Sequence, residues 1–155
     1  MKKIGMYTAR GIITEAETEA GTPQLLGVYD GTFKTAYRVI EFHIWGASYG
    51  SSTQPDCIGK LSKNAIGTTG TGNFMRADDD NQIAWAWFNA TTDSGTDSMP
   101  SIIDPDNLVV EDLYIYGRSN SGSTAPINYM VVMEKYAISE EQGALLMARD
   151  RADGE

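Results

Sequence analysis

Apolar residues recur at every second position in several short blocks of the chain, and clusters of Gly, Ser, Thr, Asn and Asp separate these blocks. Such alternation is typical of β-strands, because successive side chains of a strand point to opposite sides of the sheet. The longest block covers residues 33–45. It would carry Ile40, Phe42 and Ile44 on one face and Glu41 and His43 on the other. We expect the apolar face of this strand to contact a core.

A second block, residues 82–89, has apolar side chains on both faces. Ile83, Trp85 and Trp87 alternate with Ala84, Ala86 and Phe88. A strand with two apolar faces needs cover on both sides, so this pattern predicts an inner strand. Core packing is our preferred interpretation of Trp85 and Trp87, and also of Trp45. The alternative is an aromatic platform on which sugars stack.

Residues 108–117 and 127–136 form two further strand-like blocks, which are rich in β-branched and aromatic residues. The polar connection at 118–126 contains Gly and Pro, so we expect the two blocks to pair as a long hairpin.

Weaker alternation predicts strands at 4–13, 25–29 and 58–61, with a hairpin-type turn at Asp30 and Gly31. The total is about seven or eight antiparallel strands. Alternation alone fits a β-sandwich and a β-barrel equally well.

Near the end of the chain the spacing of apolar residues no longer alternates, and this change predicts a short helix over residues 139–150. Ser139 and Gln142 have the spacing of a capping box, in which the two side chains bind free backbone N–H groups at a helix start. Arg149 and Arg151 would lie near the negative end of the helix dipole. We expect one all-β domain over residues 1–155, strand-rich over 1–137 and closed by this helix.

Composition narrows the classes of partner. The formal net charge is -9, which repels phosphate backbones, so we expect no specific binding of nucleic acid. The basic residues near the start, Lys2, Lys3 and Arg10, are typical of a solvated terminus. No apolar run approaches the ~20 residues of a membrane span, and we expect none.

Cys57 is the single cysteine and His43 the single histidine. A disulfide within one chain is therefore excluded, and we expect a reducing compartment. A partly buried thiol is a better interpretation of Cys57 than a nucleophile. His43 alternates with Glu41, and such a pair is able to move protons. Without an evident nucleophile beside it, a surface or interface histidine is the preferred interpretation.

Carboxylates cluster at residues 78–81, where calcium is the alternative to a solvated turn. The cluster does not align with the alternate acids, the Gly and the distal Glu of a common calcium loop, so we expect a turn. Residues 104–107 also predict a turn, because Pro fixes φ and Asp or Asn binds local backbone amides. Adjacent Glu111 and Asp112 would point to opposite faces of a strand, which argues against an acid–base pair.

We expect exposed loops at three stretches that are rich in Gly, Ser and Thr, namely 48–54, 67–73 and 91–98. The glycines of 67–72 lack the lysine of a phosphate-binding loop. We therefore expect no catalytic residue, no bound metal and no cofactor.

Residues 103–117, followed by 128–139, resemble small uncharacterised proteins encoded in marine phage genomes. Residues 30–37 and 142–145 are similar to them as well, so that the resemblance covers about half of the chain. It implies a virion component, either a capsid protein or a capsid-associated jelly roll. It supplies no catalytic or ligand-binding residue.

Together these observations predict an all-β, jelly-roll-like antiparallel sandwich that serves as a structural protein of a phage virion, most simply a self-assembling capsid protein. Its expected partners are copies of itself and other virion proteins, and its expected location is the virion, after synthesis in the host cytoplasm. The alternative is a capsid decoration, a spike or a carbohydrate-binding module, with Trp45, Tyr49 or residues 91–98 in contact with a glycan. An enzyme is a third and weaker hypothesis.

Overall fold

The computed structural model describes residues 1–14, 23–27, 31–47, 56–64, 75–89, 100–119 and 125–153. Within these ranges the chain forms eight strands and a C-terminal helix. The elements are β1 (Lys2–Ile13), β2 (Gln24–Leu25), β3 (Thr35–Gly46), β4 (Cys57–Ser62), β5 (Gln82–Phe88), β6 (Ser101–Ile103), β7 (Tyr114–Ser119), β8 (Ile127–Ala137) and α1 (Glu140–Asp153). The expected class, an antiparallel β-structure with a short C-terminal helix, is confirmed.

The strands form two antiparallel sheets. A three-stranded sheet has the order β1-β8-β3, and a five-stranded sheet has the order β2-β7-β4-β5-β6. Side chains from both sheets meet in one apolar core, with Phe42 from the first sheet and Leu61 from the second fully buried. The arrangement is therefore sandwich-like.

Two glycines of the five-stranded sheet show how closely the inner faces approach each other. A Cβ atom at Gly59 would lie 3.2 Å from Cγ2 of Ile44, and one at Gly117 would lie 2.5 Å from Cδ1 of Ile13. Both isoleucines belong to the three-stranded sheet. Because glycine has no side chain, these two positions leave space at the inner face of the five-stranded sheet. The isoleucines of the opposite sheet fill it.

The predicted face of the longest strand is correct for Phe42 and Ile44 and wrong for Ile40. The pairing of β3 with β8 shifts register between Val39 and Glu41. Ile40 is the extra residue of this β-bulge, and it is 37% exposed whereas Val39 is buried. A bulge exchanges the inward and outward positions along a strand. The rule that every second residue faces the core therefore starts anew after the bulge.

The predicted strand 108–117 is wrong in its first half. Val109 forms an isolated antiparallel bridge with Tyr37 of β3, whereas Tyr114 begins β7 in the other sheet. The chain crosses from one sheet to the other between these two points. Val110 and Leu113 are buried in the crossing, which explains why this segment is as apolar as a strand.

The predicted hairpin between the last two strand-like blocks is also wrong. β7 pairs with β2 and β4, whereas β8 pairs with β1 and β3. The connection after β7 therefore joins different sheets. Strand propensity located β8 and the first part of β7, but the choice of partner depends on the whole sheet.

The remaining strand predictions have mixed outcomes. The predicted strands at 4–13 and 58–61 correspond to β1 and β4. The predicted strand at 82–89 corresponds to β5, which is an inner strand between β4 and β6. Of 25–29 only the first residue belongs to a strand, and residues 28–30 lie outside the described ranges. Gly31 has a φ of 83°, which suits the predicted turn. The three-residue β6 is too short to give a sequence pattern.

The helix begins with the predicted capping box. The backbone N–H of Gln142 donates to Oγ of Ser139 at 3.2 Å, and the N–H of Ser139 donates to Oε1 of Gln142 at 3.3 Å. Leu146 packs against a small cluster that contains Ala36, Val110 and Ile138. The helix ends three residues later than predicted, at Asp153 instead of residue 150.

Ser139→Ala is expected to lower the free energy of unfolding by ~1 kcal/mol, because it removes the hydroxyl that satisfies a free N–H at the helix start. Ser101→Ala, at an exposed position of β6, is the matched control and should change it little. Urea unfolding of both variants measures the difference. Equal stabilities would show that the capping box does not contribute.

Candidate functional site

The outward face of the five-stranded sheet carries the most unusual side chains of the structure. Strand register places Tyr116, Lys60, Trp85 and Ile102 in one row across β7, β4, β5 and β6. Their neighbours along the strands, such as Leu61, point inward to the core. Tyr116 and Lys60 are nevertheless buried, Trp85 is half-buried and Ile102 is 56% exposed. Burial therefore decreases from the middle of the sheet toward the β6 edge.

Lys60 is a buried cation beside an aromatic ring. Its Nζ lies 4.9 Å from the ring centroid of Tyr116, within the range of a cation–π interaction. Burial lowers the pKa of Lys60, and the negative charge of Asp79 acts against this shift. The aromatic ring and the carboxylate thus replace part of the hydration that the ammonium group loses.

Tyr116 is held at both ends of its side chain. Its ring contacts the ammonium group of Lys60, and its hydroxyl donates a hydrogen bond to the carbonyl oxygen of Asn64 at 3.2 Å. Burial raises the pKa of Tyr116 to about 12. The phenol therefore stays protonated at neutral pH and acts as a donor within the protein.

The side chain of Gln82 connects this row to the turn before β5. Its Oε1 accepts hydrogen bonds from the indole N–H of Trp85 at 2.9 Å and from the backbone N–H of Arg76 at 2.8 Å. Its Nε2 donates to Oδ2 of Asp79 at 3.1 Å. Gln82 fixes the orientation of the Trp85 ring.

The acidic cluster at 78–81 is a turn, as predicted. Oδ1 of Asp79 accepts from the backbone N–H of Asn81 at 3.0 Å, and Asp78 pairs with the guanidinium of Arg76 at 2.9 Å. This guanidinium holds the pKa of Asp78 below its ordinary value. Among the described residues no group of three His, Cys, Asp or Glu side chains is placed to hold a metal ion.

The second cluster, residues 104–107, is also a turn, and its last residue has a role that the sequence did not suggest. The buried side chain of Asn107 accepts a hydrogen bond from the N–H of Val39 at 2.8 Å and donates one to the Val39 carbonyl at 3.2 Å. It thereby continues, by one step, the pairing of Tyr37 with Val109 along the outer edge of β3. Asn107 supports the strand directly before the bulge.

His43 and Cys57 are not brought together. His43 lies on the outward face of the three-stranded sheet, with Nε2 3.4 Å from a carboxylate oxygen of Glu41. Cys57 is buried in the core, where its Sγ lies 3.9 Å from Oγ of Ser119. The thiol is more deeply buried than expected, and the histidine is on the surface, as predicted.

Glu111 and Asp112 do not lie on a strand, contrary to the expectation. They belong to the crossing between the two sheets and are both half-buried. Alternation along a strand therefore does not decide where their side chains point.

The expected core packing fails for two of the three tryptophans. Trp85 and Trp87 are half-buried on the outward face of β5, and only Trp45 packs against the main core cluster. Ala84, Ala86 and Phe88 form the core side of β5. The predicted loops 48–54, 67–73 and 91–98, with Tyr49 and the glycines of 67–72, lie outside the described residues.

Comparison of the chain with protein-family models, with curated proteins and with solved structures finds no match. No helix of the described residues has the length and the apolar character to cross a membrane.

Tyr116→Phe is expected to remove one step from the alkaline titration of the tyrosines, the step at about 12. Because the pKa of Tyr116 is raised in the folded state, its contribution to stability is present below the unfolded value of ~10 and is lost as the pH rises through the folded value. Absorbance at alkaline pH measures the step in both proteins. An unchanged titration curve would contradict the assignment.

Proposed function

We propose that this chain is a non-catalytic structural protein of a phage particle, a jelly-roll shell protein that assembles with copies of itself. The observation that carries the proposal is the nested pairing of its strands. β1 pairs with β8, β2 with β7, β3 with Val109, and β4 with β5. The first half of the chain thus pairs with the second half in reverse order.

Nested pairing of this kind describes one long hairpin whose two arms are folded over into two sheets. When the long hairpin folds over on itself, strands from different parts of it become neighbours. The pairs β3–β8 and β4–β7 are of this kind. This nested order supports our proposal of a jelly roll, the eight-stranded, two-sheet arrangement that viral capsid and lectin domains use. The order of the named strands contains no partner for the outer edge of β3. Val109 supplies this partner through two backbone hydrogen bonds with Tyr37, both 2.8 Å long.

The placement of polar groups agrees with a structural role. Three polar side chains of the described residues hold the fold together. Asp79 fixes a turn, Gln82 fixes the Trp85 ring and Asn107 supports β3. The resemblance of residues 103–117 and 128–139 to marine phage proteins favours the virion over other uses of the fold. Synthesis in the host cytoplasm and incorporation into the particle follow from the same proposal.

Light scattering across protein concentration and salt, followed by electron microscopy of any large species, tests this proposal. We expect closed shells or regular rings to form as the concentration rises. A monomer that persists at every concentration and salt would overturn it.

A second candidate, a glycan-binding decoration or spike, is favoured by one observation. Trp85 and Trp87 are half-buried on the same face of β5, and Gln82 fixes the ring of Trp85. Aromatic rings in fixed positions suit sugar stacking. A glycan array should then give signals that Trp87→Ala removes, whereas an array without signals would exclude this function.

A further inference from the structure

The sandwich has two opposite sides, and each ends in an unpaired strand edge within the described part of the chain. On one side, β1 ends the three-stranded sheet above β2. The Nε2 of Gln24 in β2 donates to the hydroxyl of Tyr129 at 3.2 Å, and this hydroxyl lies against Gly11 of β1. On the other side, β6 ends the five-stranded sheet, and it lies near β3 of the opposing sheet.

The first side is apolar and basic. We call it the basic edge and define it by the outer side of β1, Lys2–Ile13. Most of the exposed large apolar side chains of the described residues lie on or beside it: Met1, Ile4, Met6, Tyr7, Ile12 and Leu25. β1 also carries Lys2, Lys3 and Arg10 and has no carboxylate. Lys3 is paired within the chain with Glu134 at 2.7 Å, whereas Lys2 and Arg10 are exposed.

The opposite side is apolar and acidic. We call it the acidic edge and define it by residues 101–106. Ile102 is 56% exposed in β6, and Asp104 and Asp106 follow it directly, both exposed. The two edges are therefore complementary in charge, and each offers backbone groups and apolar side chains.

We propose that the basic edge of one copy docks against the acidic edge of the next copy, with Lys2 and Arg10 facing Asp104 and Asp106. This inference rests on the self-assembly proposed above and names the surfaces that carry it. A contact between two basic edges around a two-fold axis would set like charges against each other. A head-to-tail contact avoids this repulsion, and repeated around a closed path it builds a ring or part of a shell.

Two charge-reversal variants test the contact. Lys2→Glu with Arg10→Glu makes the basic edge acidic, and Ile102→Lys with Asp106→Lys makes the acidic edge basic. We expect each variant alone to need at least a tenfold higher concentration than the original chain for assembly, because like charges then meet. A mixture of the two variants should recover assembly, since the reversed edges match each other. Recovery should weaken with added salt.

The control is Lys63→Glu with Arg118→Glu, which changes the net charge as the first variant does. Lys63 directly follows β4 and Arg118 lies in β7, so neither residue belongs to the two edges. This control should assemble like the original chain. If the original chain assembles and the two edge variants do so equally well, the proposed contact is wrong while self-assembly stands. Loss of assembly in the basic-edge variant alone would point to a two-fold contact and overturn the head-to-tail arrangement. A persistent monomer of the original chain would overturn both proposals.

Discussion

Gly143→Ala should lower the free energy of unfolding by roughly 1–3 kcal/mol, the usual cost of forcing an extra methyl group into a filled space. A Cβ atom at this position would lie 2.0 Å from the carbonyl oxygen of Phe33 and 2.6 Å from its Cβ. The nearest atom belongs to the backbone, so it cannot move aside as a flexible side chain would. The helix must shift away from the segment on which it packs.

The sign of this effect separates docking of the helix from its intrinsic stability. Alanine favours a helix interior over glycine by ~1 kcal/mol, so an undocked helix would be stabilised by the same substitution. Urea unfolding, followed by tryptophan fluorescence and by helical circular dichroism, measures both effects. Gly5→Ala is the control, because a Cβ at Gly5 has no atom within 4 Å. A Gly143→Ala variant as stable as the original chain, or more stable, would contradict the packing described.

The features that the sequence predicts well are those decided by neighbouring residues. Ser139 and Gln142 lie three positions apart, and their reciprocal bonds need nothing beyond one helical turn. The strands β1, β4 and β5 follow from alternation and from side-chain type. Local chemistry therefore gives the class of the fold and most of its strands.

The features that the sequence does not predict depend on distant segments. The bulge at Ile40 inverts the faces of β3. The adjacent apolar residues Val39 and Ile40 break the alternation there, but this break alone does not show which of the two faces the core. The crossing through Val110 and Leu113 is as apolar as a strand, because it passes through the core. Apolar pattern reports burial and not the partner, so neither the sheet crossing nor the separation of β7 from β8 could be derived from it.

The candidate site was predictable only in part. Turns at 78–81 and 104–107 follow from their Asp, Asn and Pro content. Nothing local to Lys60 indicates burial beside Tyr116, since a lysine at an alternating position usually points to solvent. The half-buried face of Trp85 and Trp87 has an apolar composition typical of a core, and only the sheet order shows which side of β5 faces inward.

Asn107→Ala should lower the free energy of unfolding by roughly 3 kcal/mol, since it leaves two buried backbone groups of Val39 without their partner at ~1–3 kcal/mol each. The Asn107 amide offers an acceptor to the Val39 N–H and a donor to the Val39 carbonyl, as a neighbouring strand would. The adjacent bulge prevents β3 from continuing its regular pattern, so the amide has no simple replacement. Loss of these bonds should loosen the bridge between Tyr37 and Val109 as well.

Asn107→Asp tests whether the donor matters in addition to the shape. It is nearly the same size and keeps an acceptor for the Val39 N–H, but it replaces the donor to the Val39 carbonyl by an oxygen and brings a charge into a buried site. At neutral pH we therefore expect it to be at least as destabilising as Asn107→Ala. Asn128→Ala, at a half-buried outward position of β8, is the control and should cost less. Urea unfolding of all three variants, with hydrogen exchange at the Val39 and Val109 amides, measures the effect. An Asp variant as stable as the original chain would show that Asn107 only fills space, and the strand edge would then need another support.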